Sequence, residues 1–382
     1  MLSESDPRSY FADLDDPRRD TKNKLHSLQD IIFIVISSIL SGIEDWVGMQ
    51  DFAYERLEWF KRFIPLTNGV PSHDTISNVI GRLKPKQFAT CFSEWVTSIL
   101  PNLSGHHIAI DGKALCGSDD GSKNGMTYIL SAFASASRLV LAQHDVVGKG
   151  NEIAGIEEVL KMLELKGSLI TIDAIGAQKN LVNQIVSGGA DYVIALKGNQ
   201  ENLHEGAKTF LDSEIEEKKL SPFHDGIVKD HGRIENRIYY LSSDLSWLDE
   251  ETKKLWSGFE SVGVVESQRT VVKTGKTTTE KRYYISSTTD MEQFASAVRQ
   301  HWAIENQQHW VLDVQFREDD HIARKDHRAA NLALIRRVAL NLMRAHSTSE
   351  DQKRSMRRRK RLAGLTDQRR EQLLFGTRLQ LD

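Results

Sequence analysis

Between residues 106 and 197 the order of side chains admits few folds. Three short β-branched segments come in succession, HIAIDG, MTYILSAFAS and RLVLAQHDVV, joined by turn-rich links such as GSDDGSKNG. EIAGIEEVLKMLEL then has amphipathic helical spacing, SLITIDAI is a near-continuous apolar strand, QKNLVNQIVSGG is a second helix and DYVIALK another strand. Consecutive strands feeding an alternation of helix and strand predict a mixed sheet that opens as an antiparallel meander and is covered by helices on both faces.

That order is the order of an RNase H-like core, and it sets the fold class as α/β. Ahead of it, LHSLQDIIFIVISSILSG, DWVGMQDFAYERLEWFKRF, PSHDTISNVIGRL and KPKQFATCFSEWVTSIL read as helices, with Ser72 or Asp74 as the N-cap of the third. The expected division is a helical module over 1–100, the first part of the core over 101–215, and a β-rich insertion over 216–290. Helices over 291–346 complete the core, and a basic tail follows over 347–382. The insertion rests on three strand-like segments, GRIENRIYYLSS, SVGVVESQRTVV and TEKRYYISST. QFASAVRQHWAIENQQHWVLDVQF reads as one helix and DHRAANLALIRRVALNLMRAH as another, while KRSMRRRKR lacks large apolar anchors and reads as exposed.

Hydrophobic residues at 40% and charged residues at 27% suit a folded chain of 382 residues and exclude wholesale disorder. Cys91 and Cys116 are the only cysteines and form no CxxC pair, which argues against a zinc ribbon or a disulfide scaffold. The acidic, polar start lacks the pattern of an export signal, and the run Ile31 to Leu40 is too short to span a bilayer. A cytoplasmic protein with no membrane partner is the expectation. A formal net charge of -3 gives no global basic signature, so any affinity for nucleic acid has to come from local patches.

Two carboxylates interrupt strands that should be buried: Asp111 follows Ile108 to Ile110, and Asp173 follows Leu169 to Ile172. Such positions are costly without a partner, and two neighbouring carboxylates repel unless a cation neutralises them. Mg²⁺ takes one or two carboxylates together with water and phosphate, so the pair predicts a metal site. The plainer reading makes each Asp the cap of a following turn. Glu305 is a third candidate, on a helical stripe with His301, His309 and Asp313 at four-residue steps; its plainer reading is a solvated helix face. The same stripe lacks the HExxH spacing of a zinc site.

IAIDGK, ITIDAIG, ALKGNQ, HGRIENR and HWAIENQQHWVLDVQFRED resemble the H-repeat-associated proteins and their relatives among bacterial insertion-sequence DDE transposases. DDPRRD, SGIEDW, PSHDTIS and KGNEI, the last at Lys149 to Ile153, extend the resemblance over nearly the whole chain. It implies an RNase H-like catalytic domain whose acidic triad is Asp111, Asp173 and Glu305, holding Mg²⁺, with Mn²⁺ able to substitute. It also implies a β insertion between the second and third acid, double-stranded DNA at element ends and target as partner, and a homodimer assembled on DNA. The broader superfamily has Tyr and Arg shortly before this Glu and Lys seven residues after it. Val298, His301 and Leu312 stand there instead, so hairpin processing is not carried over.

The activity expected is cleavage at element ends followed by strand transfer; rival readings are an idle DNA-binding remnant and an RNase H-like nuclease without joining. Lys113 and Lys197 are candidate phosphate contacts beside the acids. His231, Arg233 and Arg237 in the insertion, and Lys353 to Arg361 with Arg357, Arg358 and Arg359 among them, are candidates for tracking DNA backbone. PSHDTISNVIGRL reads either as part of a helix-turn-helix or as core packing through Ile76, Val79 and Ile80.

Overall fold

The computed structural model describes residues 6–21, 24–119, 121–122, 125–148, 150–230 and 232–376. His231 and Lys149 lie outside the described residues. The first six helices are α1 (Pro7–Phe11), α2 (Leu28–Leu40), α3 (Trp46–Glu55), α4 (Leu57–Phe60), α5 (His73–Arg82) and α6 (Pro85–Ile99). Strands β1 (His107–Leu115), β2 (Thr127–Ala134) and β3 (Leu139–Val147) precede α7 (Glu152–Lys161), β4 (Leu169–Ile172), α8 (Lys179–Ser187), β5 (Asp191–Leu196) and α9 (Glu201–Glu216). β6 (Phe223–Asp230), β7 (Arg233–Ser242), α10 (Glu250–Leu255), β8 (Ser261–Val271) and β9 (Thr277–Ser286) follow. The chain ends in α11 (Met291–His301), a π-helical turn (Ile304–His309), α12 (Trp310–Phe316), α13 (Arg328–Ala345), α14 (Ser349–Gln352), α15 (Met356–Leu365) and α16 (Asp367–Phe375).

Two compact units divide the chain: Met1–Asn102 with Gly112–Leu163 and Glu305–Asp382, and Leu103–Asp111 with Glu164–Ile304. In the first, α2 is buried almost throughout, which its run from Ile31 to Leu40 dictates, and Ser27 caps it by accepting from the Asp30 N–H at 3.0 Å. Gly42, at φ 85°, ends it in the left-handed conformation open to glycine. Ser72 is the cap of α5, its Oγ accepting from the Thr75 N–H at 3.2 Å. Ile76, Val79 and Ile80 on α5 are buried. The buried helix α13 uses two asparagines to satisfy its neighbours' backbones. Asn331 Nδ2 donates to Ile80 O in the last turn of α5 and to Leu83 O just past it, and Asn341 exchanges bonds of 3.0 and 2.8 Å with Val140 N and O on β3.

Along the mixed sheet the order is β3-β2-β1-β4-β5-β9-β8-β7-β6. The β2–β3 hairpin and the second half of β1 lie in the first unit, and the remaining strands in the second. There β1, β4 and β5 run parallel, and β5 pairs antiparallel with β9, so residues 223–286 add four strands to the row of parallel ones. Strand β6 was not among the three strand segments read from the sequence. Its stretch FHDGIVKD is polar, carries Gly226 at φ 94° and breaks register between His224 and Ile227, so it has no two-residue alternation to read.

Two further expectations change. The segment from Met291 to Phe316 is not one helix: the π-helical turn interrupts it, so His301, Glu305, His309 and Asp313 do not share a regular four-residue stripe. The basic stretch after residue 347 is not an exposed tail over its described part, because α14 to α16 fold back through Ala363, Leu373 and Leu374, all buried. No helix among the described residues is long and apolar enough to cross a membrane.

Candidate catalytic site

In the second unit, four consecutive residues of β1 pair in parallel with four of β4, from His107 opposite Leu169 to Ile110 opposite Ile172. Asp111 and Asp173 are the next residue on each strand, and the strands of a sheet lie about 4.8 Å apart. The two carboxylate-bearing residues therefore leave the ladder side by side. The third parallel strand contributes Lys197, exposed just past the end of β5. Burial raises the pKa of Asp173, against the Ile175 N–H and the positive charge of Lys197, which lower it.

Asp173 also caps a turn, as the plainer reading had it: its carboxylate accepts from Ile175 N at 3.2 Å as the chain enters the 3-10 turn Ala174–Gly176. The turn is built for close approach. A Cβ at Gly176 would stand 2.4 Å from Ile172 Cγ2, so only glycine fits. Asn199 Nδ2 donates to Ala174 O at 2.7 Å and Gln200 Nε2 to Ala177 O at 2.9 Å, so the residues after Lys197 hold the loop that carries Asp173. Those positioning amides belong to the ALKGNQ segment; no role for them was read from the sequence.

Behind the aspartates, Thr171 Oγ1 lies 2.9 Å from both His107 Nε2 and His301 Nδ1. Burial pushes His107 down to about 3 and His301 down to about 4, with the neighbouring His301 and Arg282 acting in the same direction. Both imidazoles are neutral near pH 7, and the hydroxyl can donate to one and accept from the other.

In the first unit Glu305 is exposed at the head of the π-helical turn. Lys113 is buried in this unit, its Nζ 2.8 Å from Asp313, 2.7 Å from Asp319 and 3.7 Å from Glu318. This lysine was expected to meet phosphate; in the fold its charge is spent on carboxylates. Glu318 in turn pairs with Arg337 at 2.8 Å, neither side chain being exposed.

The other basic candidates differ in availability. Arg233, Lys353, Arg357 and Arg358 are exposed. Arg237 pairs with Glu235 at 2.7 Å and lies 5.7 Å from the ring centre of Trp302. Arg359 donates to Arg354 O and Met343 O, and Lys360, within the same run, is buried against Glu44.

Among the described residues no group of three His, Cys, Asp or Glu side chains is gathered closely enough to cage a metal ion alone. Asp111 and Asp173 nevertheless suit a hard cation that keeps waters and takes the rest of its oxygens from a phosphate. The donor set fits Mg²⁺ and Mn²⁺ and, lacking thiolate, does not favour a structural zinc.

A family model described as Transposase DDE domain matches residues 103–342, which contain both aspartates and Glu305. The chain belongs to this transposase family. A DDE_Tnp_1-associated model matches residues 8–96, the helical stretch ahead of β1. The DDE domain is RNase H-like, in keeping with the mixed sheet. Among relatives, the chain is 35% identical over 368 residues to the "H repeat-associated putative transposase YhhI" of Escherichia coli strain K12, covering 94% of this chain and 96% of that one. It is 37% identical over 341 residues to the "Putative transposase YncI" of Escherichia coli O157:H7, covering 88% and 86%. An uncharacterized protein from the dhlA 3' region of Xanthobacter autotrophicus is 37% identical over 286 residues, covering 74% of this chain and 95% of that one.

Proposed function

We propose that this DDE transposase family member cuts double-stranded DNA at the ends of a mobile element and joins those ends to target DNA, with Asp111, Asp173 and Glu305 as ligands of two divalent ions. The observation that supports the reading is the β1–β4 register, in which Asp111, within β1, and Asp173, just past the end of β4, each follow the last paired residue. Magnesium, with manganese as its substitute, would supply activation of the attacking oxygen and stabilisation of the leaving one. Water attacks the phosphodiester at the element end and releases a 3′ hydroxyl, which then attacks a phosphodiester of the target; no covalent protein intermediate is needed.

The chain's own groups do the rest. Asp111 and Asp173 present oxygen donors that do not compete as nucleophiles, Asn199 and Gln200 hold the Asp173 loop, and exposed Lys197 meets substrate phosphate. Arg233, Arg237, Lys353, Arg357, Arg358 and Arg359 belong to the same reading as contacts to DNA backbone. Two ends must be brought together, so the working form is a homodimer on DNA, acting in the cytoplasm.

The test is cleavage and joining of DNA carrying genuine element ends by purified protein in Mg²⁺ or Mn²⁺, for wild type and for Asp111→Ala, Asp173→Ala and Glu305→Ala. Loss of both steps in all three variants with DNA binding kept supports the reading. Cutting without joining makes the chain a nuclease, binding without cutting makes it an idle remnant, and activity that survives the substitutions removes the triad.

A further inference from the structure

We infer that Lys113, with Arg337 and Lys360, forms an internal clamp that positions Glu305 rather than a surface that binds DNA. The inference rests on the proposed role of Glu305 as a metal ligand.

All of the groups involved lie in the first unit. Downstream of Glu305, the stretch from 307 to 319 is gripped by cations from three elements. Lys113 on β1 binds Asp313 and Asp319, Arg337 on α13 binds Glu318, and Lys360 on α15 donates to Gln315 O at 2.8 Å. Arg344, also on α13, donates to Gln307 O. Lys113, Arg337 and Lys360 are all less than one-tenth exposed, so water and phosphate do not reach them freely.

The turn that bears Glu305 is not regular α-helix. Glu305 is the second residue of the π-helical turn Ile304–His309, whose wider repeat breaks the ordinary helical ladder. Gln308 in that turn is fully buried and neither end of its amide has a hydrogen-bond partner. A buried amide left so costs about 1–3 kcal/mol and anchors nothing. Buried ion pairs contribute little net stability against well-packed apolar groups, and setting register is their best-attested use. A clamp at Asp313 and Asp319 therefore determines where the turn bearing Glu305 comes to rest.

The experiment compares wild type, Glu305→Gln and the isosteric double variant Asp313→Asn/Asp319→Asn, with Asp319→Asn alone as the milder form should the double variant fail to fold. Mn²⁺ affinity by calorimetry, melting temperature, affinity for end DNA and metal-dependent cleavage are read on the full chain. The clamp variant is expected to lose at least about tenfold in Mn²⁺ affinity, matching the direction of Glu305→Gln, while DNA affinity stays within about twofold; a purely structural pair would lower only the melting temperature. Wild-type Mn²⁺ affinity in the folded clamp variants, with Glu305→Gln impaired, overturns the clamp and leaves the transposase reading standing. If wild type binds Mn²⁺ but cuts no DNA, the transposase reading fails and the clamp is judged on the metal affinities. Unchanged Mn²⁺ affinity in Glu305→Gln overturns the clamp together with the triad.

Discussion

Ile110 and Ile172 are direct partners in the parallel ladder of β1 and β4, and each is followed by an aspartate. Burial raises the pKa of Asp173, so its charge is carried at a cost in the metal-free protein. Asp173→Asn keeps an acceptor for Ile175 N and removes that cost. Without metal, at neutral pH, it is expected to raise the melting temperature by on the order of 2 °C. The same change is expected to lower metal-dependent cleavage by about 10² to 10⁴, the equivalent of several kcal/mol of lost charge stabilisation. Paired melting curves and cleavage rates check both, and a variant that loses stability and keeps activity refutes the site.

The fully buried pair of Glu318 and Arg337 predicts an asymmetry between single and double replacement. Glu318→Gln leaves the Arg337 charge buried without its carboxylate and is expected to cost about 3–5 kcal/mol in denaturant unfolding; Arg337→Met, which leaves Glu318 beside Lys113 at 3.7 Å, should cost less, and the two together less than Glu318→Gln alone. Burial raises the pKa of Glu318, but Arg337, Lys113 and Arg336 outweigh it and hold the carboxyl below its ordinary value. Its stabilising contribution is therefore present above the unfolded carboxylate pKa, about 4.3, and is lost as pH falls through the folded value. Wild type should weaken on acidification in that range, and Glu318→Gln should weaken less.

The alternation around β4 and β5 was legible because Leu169 to Ile172 are buried on both faces and show it as a run that is apolar but for Thr171. For the same reason Asp111 and Asp173 stood out: a carboxylate at the end of such a run is rare without a reason. What stayed hidden depends on partners. A lysine's charge is written in the sequence, but whether Lys113 meets phosphate or Asp313 and Asp319 is decided by residues about two hundred positions away. The π-helical turn at Ile304–His309 was hidden because its side chains continue a helical pattern while the backbone does not. Asn199 and Gln200 act through backbone carbonyls, which leave no mark in side-chain periodicity.

Thr171 between His107 and His301 predicts a pH dependence. Burial lowers both histidines, to about 3 and about 4, so below the ordinary value near 6.5 the unfolded chain binds protons that the folded one refuses. Stability should be full above about pH 6.5 and should fall steadily as pH is lowered toward 4. Melting temperatures across pH 4.5 to 7.5 check this, and His301→Gln should flatten the profile. Thr171→Val leaves both rings short of a partner and is expected to cost about 1–3 kcal/mol at pH 7.

Exposed and buried members of one basic run should separate in their dependence on salt. Lys353, Arg357 and Arg358 are exposed, whereas Lys360 is bound to Glu44 and Gln315 O. Each phosphate contact contributes roughly 0.9 to the slope of log affinity against log salt on duplex DNA. Replacing the exposed three by alanine is expected to reduce that slope by about 2 to 3 units and to leave the melting temperature nearly unchanged. Lys360→Met should do the reverse, because it removes no phosphate contact and strips Glu44 of a partner 2.5 Å away. Binding isotherms for one DNA duplex over a series of salt concentrations decide the matter. A slope that drops for Lys360→Met as it does for the exposed residues would mean that α15 leaves its buried place when DNA binds.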